Sequence, residues 1–127
     1  MNPLIFVFLG GGVGSVARYW VGVQSMRLFG TAWPYGTFTV NLVGGLLMGL
    51  LVGCLTLRGG ADQERWRILL GVGVLGGFTT FSSFSLETAS MIKRGDLTHA
   101  GAYVTASVMC AVGAVFVGQL LAHRMFA

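Results

Sequence analysis

Residues 76–85 read GGFTTFSSFS. Two adjacent glycines and five hydroxyl residues surround phenylalanines at 78, 81 and 84, inside one of the most apolar regions of a very apolar chain. A plain hydrophobic helix needs neither feature. Counted from Arg67, Gly76–Phe81 falls about 14 to 21 Å along its helix, near the middle of a roughly 30 Å hydrocarbon layer. Adjacent glycines followed by two threonines are poor helix formers there, so a helix break is expected near 76–80. Interrupted backbone at membrane depth is tolerated only where it is buried or lines a hydrated cavity. Its freed carbonyls then turn their negative ends toward a neighbouring group, commonly a cation.

The rest of the chain places this stretch in a membrane. Of 127 residues, 54% are hydrophobic and 9% charged, with a mean hydropathy of +0.78. Soluble domains carry about 25% charged residues, so a water-facing surface is excluded. No charged residue lies between Arg27 and Arg58, between Arg67 and Glu87, or between Asp96 and Arg124. Each gap reaches or nears the roughly 20 residues a helix needs to cross a bilayer. Four spans are predicted, at Leu4–Met26, Gly36–Leu57, Trp66–Met91 and Leu97–His123, in a single transmembrane domain. Trp33, Tyr35 and Trp66 mark interfaces. Met-Asn-Pro precedes the first apolar run without Lys or Arg, and no small-residue cleavage site follows, so the segment reads as a retained span. Cys54 and Cys110 read as small apolar residues, and His99 and His123 form no ligand pattern.

With four spans, Arg58, Arg65, Arg67 and Arg124 share one side and Arg27, Lys93 and Arg94 the other. Four against three is almost no bias under the positive-inside rule. Either another feature fixes one orientation or copies insert both ways. Inverted copies would pair about a two-fold axis in the membrane plane. Under that axis only midplane residues meet their own copies, and the expected break is at the midplane. Glycines four apart, Gly45, Gly49 and Gly53 on span two and Gly73 and Gly77 on span three, suit close helix contact within or between subunits.

Polar groups inside the spans are the functional pointers. Arg18 lies about 22 Å along span one, at a depth comparable with Glu87 near the far end of span three. A salt bridge, a shared vestibule and snorkelling to the interface are the competing readings. Asn41 bonds a neighbouring helix or a ligand. Tyr103 and Ser107, four apart, share a face of span four. With Asn41, Ser82 and Ser83 they would compose a polar track, which implies something small and polar passing through. Phe78, Phe81 and Phe84 would form one slowly rotating stripe. Ring edges favour an anion and ring faces a cation, and the sequence leaves both open.

The glycine-rich first span with its internal Arg, "GTFTVNLVGG" at 36–45 and "GGFTTFSSFSLET" at 76–88 together resemble the Fluc (CrcB-type) fluoride channels over essentially the whole length. The resemblance implies an all-α integral membrane protein with four transmembrane helices per subunit, a break in the third, and an antiparallel dual-topology homodimer with two pores. It implies passive, fluoride-selective export from the cytoplasm, in the plasma membrane of a prokaryote (the inner membrane of a Gram-negative cell). By the same resemblance Phe81 and Phe84 turn ring edges to fluoride, and Asn41, Ser82, Ser83, Tyr103 and Ser107 line the pore. Arg18 and Glu87 belong to the vestibule. The carbonyls of Gly76 and Thr79 hold a structural sodium ion at the two-fold. Ala111 stands where some relatives carry a hydroxyl, and Ser83 where a threonine is common. No nucleophile–base pair points to an enzyme, and no nucleic-acid partner is implied. The competing reading is a small dual-topology proton-coupled exporter using Glu87, a class that needs its acid well inside an early helix, where this chain has Arg18.

Overall fold

The computed structural model describes residues 2–127 and is helical almost throughout. Helix α1 (Pro3–Phe29) starts where the Asn2 side chain accepts the Leu4 amide at 2.8 Å and Pro3 presets the first turn. It stops at Gly30, whose φ of +81° suits glycine. Helix α2 (Tyr35–Arg58) leads through a 3₁₀ turn (Gly60–Asp62) into α3 (Gln63–Trp66). A π-helical run, Arg67–Leu75, and the short α4 (Gly76–Phe78) continue the third span. Thr79 and Thr80 are then extended, with ψ of 162° and 118°, before α5 (Phe81–Lys93) resumes. Helix α6 (Leu97–Phe126) closes the chain, with Asp96 capping the His99 amide and bonding the His99 ring at 2.7 Å. That ring holds the Asp96 carboxyl below the usual aspartate range, so the cap's contribution is present above the ordinary aspartate pKa and is lost as pH falls through the lowered one.

Four helical stretches are long and apolar enough to cross a membrane: Pro3–Phe29, Tyr35–Arg58, Gly60–Lys93 and Leu97–Phe126. Each starts no later than its predicted span and runs past its predicted end. Hydropathy stops where charges begin, whereas a helix continues until a cap stops it. Large apolar side chains such as Phe8, Val16, Trp20, Met109 and Phe116 point outward. In water such a surface would aggregate; in lipid it is the solvated face.

The interior is built on backbone proximity rather than on bulky side chains. Helix α1 lies against the π-helical run and α4, and α2 lies against α6. A methyl group added at Gly10 would come within 2.6 Å of the Leu69 carbonyl oxygen and 3.0 Å of Gly73 Cα. One added at Gly45 would come within 2.7 Å of the Ala111 carbonyl oxygen, and one at Gly53 within 2.7 Å of the Ala122 methyl. The spaced glycines are therefore contact faces between helices of one subunit.

This packing also corrects the expected origin of the break. Gly76 and Gly77 remain helical, and Gly77 is held 3.1 Å (measured to its added methyl position) from Gly11 Cα. The threonines make the interruption instead. Phe78 consequently ends one helix and Phe81 begins another, so the three phenylalanines do not form one continuous stripe.

Gly10→Ala or Gly45→Ala is expected to destabilise the folded protein by about 1–3 kcal/mol through overpacking. Gly12→Ala, where nothing lies within 4 Å of the added methyl, should be neutral or slightly stabilising. Thermal unfolding in a mild detergent measures all three; equal losses would refute the contact assignment.

Candidate functional site

The break frees backbone groups, and side chains from other helices take them up. Asn41, from the first turns of α2, donates Nδ2 to the Thr80 carbonyl at 3.0 Å and accepts the Thr80 amide on Oδ1 at 2.9 Å. Both main-chain groups of the break's second residue are satisfied by one amide. Arg18 of α1 donates Nε to the Gly77 carbonyl at 3.0 Å. The Thr79 hydroxyl donates back to the Leu75 carbonyl at 3.0 Å, and the Thr80 hydroxyl accepts the Ser83 amide at 3.1 Å, capping α5. Among the described residues, no turn, cap or side-chain hydrogen bond ends on the carbonyl of Gly76 or of Thr79. In an unbroken helix Gly76 would have received the Thr80 amide, which Asn41 takes.

Beside the break, Glu87 of α5 is held between two helices. One carboxylate oxygen accepts the Thr37 hydroxyl at 2.9 Å and the other the Tyr103 hydroxyl at 3.0 Å. Tyr103 is fully buried in a cluster with Met91 and Ala100. Its ring meets Trp33 edge-on at 5.2 Å and Phe84 at 5.1 Å. One turn along α6, Ser107 is buried and its hydroxyl has no hydrogen-bond partner among the described residues. Phe81 packs on Phe84 at 5.6 Å but is 77% exposed, projecting from the subunit. Ser82 is also exposed, its hydroxyl 3.3 Å from that of Thr80.

Arg18 and Glu87 share one cavity of about 550 Å³ and are not ion-paired to one another. Both residues line this one cavity, and the salt bridge between them is not formed. The Glu87 oxygens turn to Thr37 and Tyr103. Ser83 and Thr80 reach the same cavity, whereas Asn41, Ser82, Phe81, Phe84, Tyr103 and Ser107 lie outside its lining. The residues named from sequence thus form two groups, one at the cavity and one outside it on α2, α5 and α6. Three contributors had been passed over. Thr37 lies four residues before Asn41 and hence on its helix face, a spacing that pointed to it. Thr80 has the residue type and position of a helix cap. Arg94, counted only as a loop charge, lines the cavity.

Residues 5–119, which include every site residue above, match the family described as CrcB-like protein, Camphor Resistance (CrcB). The fluoride-specific ion channel FluC of Caulobacter sp. (strain K31) is 64% identical over 126 residues, spanning 99% of this chain and 98% of that one. The chain belongs to the CrcB/FluC family of fluoride-specific ion channels. The FluC proteins of Caulobacter vibrioides (strain NA1000 / CB15N) and Phenylobacterium zucineum (strain HLK1) match it end to end, at 60% and 59% identity. Membership in the CrcB family makes this a multi-pass membrane protein and a channel-family member rather than an enzyme.

Asn41→Leu leaves the Thr80 amide and carbonyl unpaired and is expected to cost about 1–3 kcal/mol for each group left buried. Thr37→Val leaves Glu87 its Tyr103 partner and should cost less. Thermal unfolding of the two variants in detergent should rank Asn41→Leu as the more damaging; the reverse order would refute the role of Asn41 as the brace of the break.

Proposed function

We propose that this protein is a fluoride-selective channel through which fluoride leaves the cytoplasm passively, working as an antiparallel homodimer. The observation that carries the reading is about 60% identity, over full length, to fluoride-specific channels. The chemistry of the residues agrees. Fluoride is small and holds water tightly, so a path for it must replace that water with hydrogen-bond donors. Hydroxyls of Ser82, Ser83, Tyr103 and Ser107 and the second Nδ2 hydrogen of Asn41 are donors of the right kind. Phe81 and Phe84 contribute positive ring edges. Arg18 and Glu87 belong to the vestibule that leads to them. The membrane potential alone drives an anion outward with about 2.3 kcal/mol per 100 mV. Glu87, the group a proton-coupled exporter would use, is engaged by the hydroxyls of Thr37 and Tyr103.

The near-balanced basic residues suit insertion in both orientations. With the break at mid-membrane, an in-plane two-fold axis brings two such breaks together. The carbonyls of Gly76 and Thr79, which no turn, cap or side-chain donor reaches among the described residues, fit a structural sodium ion held jointly by two copies, since a hard cation prefers neutral or anionic oxygens. Such an ion would fix the broken helices and lend positive charge to the adjacent anion path. The proposed home is the bacterial plasma membrane, with lipid on the outward apolar faces.

In liposomes the purified protein should release fluoride without a proton gradient and far faster than chloride; coupled proton movement or absent fluoride flux would overturn the channel reading. Phe81→Ile is expected to cut fluoride flux by tenfold or more, on the order of the effect of losing a key polar or aromatic contact, while the dimer still elutes intact. Exchange of sodium for a large organic cation should lower the dimer's melting temperature; an unchanged value would remove the sodium site.

A further inference from the structure

The cavity beside the break is lined by two cations of different standing. Arg18 is tied by its Nε to the Gly77 carbonyl, deep against α4. Arg94 lies at the loop end, where α5 stops: its amide bonds the Ser90 carbonyl at 3.1 Å, and Gly95 follows with a φ of +78°. Its side chain forms no ion pair among the described residues. The neighbouring acid, Asp96, is turned to the start of α6 and engaged by the His99 ring at 2.7 and 2.9 Å. Glu87, the one acid of the lining, has both oxygens occupied by Thr37 and Tyr103. Arg94 therefore lines the cavity with no carboxylate paired to it among the described residues.

We propose that Arg94 is an anion collector: it raises the concentration of small anions in the vestibule, without choosing among them, and so sets the rate at which the channel is supplied. A cavity of about 550 Å³ is far too large to strip a monatomic ion of water, so selection must occur further along. The two arginines outnumber the single carboxylate, so the lining is net positive, and a low-dielectric wall behind it focuses the field and raises local anion concentration. Arg18, committed at the inner end, receives what Arg94 gathers. The supply role rests on the channel reading above; the concentration of anions does not.

Two measurements separate these. Trp33 lines the same cavity and reports on it. In a Trp20→Phe, Trp66→Phe background in neutral detergent, iodide should quench Trp33 about threefold less well in Arg94→Gln than in the parent at about 10 mM ionic strength. Quenching by neutral acrylamide should not change, and the iodide difference should vanish near 1 M salt, where the screening length is about 3 Å. Arg27→Gln, which removes the same charge from the same end but outside the lining, should have little effect. An unchanged iodide constant, a parallel fall with acrylamide, or an equal effect of Arg27→Gln would each overturn the proposal. In liposomes, fluoride efflux through Arg94→Gln should fall about threefold at low ionic strength and recover at high. A deficit that persists at high salt would mark a structural role instead. If the parent carries no fluoride at all, the channel reading fails, while the iodide result still decides whether Arg94 gathers anions.

Discussion

A backbone amide or carbonyl left unpaired in hydrocarbon costs several kcal/mol, and no water is there to relieve it. The interruption at Thr79 and Thr80 creates that problem in the third span, and the site is arranged around solving it. Asn41 meets both main-chain groups of Thr80, Arg18 meets the Gly77 carbonyl, and the two threonine hydroxyls close the ends of the flanking helices. These braces come from α1, α2 and the break itself. The break, the start of α5 and the cavity that Glu87 lines are therefore coupled. Loss of one brace does not merely weaken a contact; it releases backbone that lipid cannot accommodate.

The braces reach only because the helices are unusually close. Lipid tails are as apolar as leucine, so no hydrophobic drive pulls the helices together, and small residues must let dispersion and hydrogen bonds act at short range. Gly10 and Gly73 bring α1 against the π-helical run, and Gly45 and Gly53 bring α2 against α6. The first contact carries Arg18 to Gly77, and the second holds Tyr103 where its hydroxyl meets Glu87. Glycine spacing and polar function are thus parts of one arrangement. A methyl at Gly10 would move Arg18 as surely as a change at Arg18 itself.

Much of this was legible in the residues. Charge-free intervals located four spans, and GGFTT located the interruption, because both follow from strong one-dimensional constraints. The division of labour within GGFTT was not legible. Low helix propensity pointed to the glycines and the threonines alike, yet Gly76 and Gly77 stay helical, with Gly77 packed on Gly11, and the threonines leave the helix because their hydroxyls can replace the missing bonds. The continuous phenylalanine stripe failed for the same reason, since helical spacing across a break has no meaning. Arg18 and Glu87 were matched by depth, but depth does not say which neighbour each prefers. Arg18 found a carbonyl, and Glu87 found the hydroxyls of Thr37 and Tyr103. Those partners depend on side-chain direction across helices, which no spacing rule within one helix supplies.

What remains unsatisfied in a single subunit bears on the proposed pairing. Among the described residues, no turn, cap or side-chain hydrogen bond reaches the Gly76 and Thr79 carbonyls, the Ser107 hydroxyl has no partner, and the Phe81 ring is exposed; isolated polar groups are costly in hydrocarbon. Lipid satisfies none of the polar ones. A cation would answer the carbonyls and an anion the hydroxyl, and each would lower the cost of placing the other nearby. The two needs have opposite sign and sit within one span's reach. A second, inverted copy would double both and place the carbonyl pairs together, so that the interruption that makes one subunit expensive would become the joint between two.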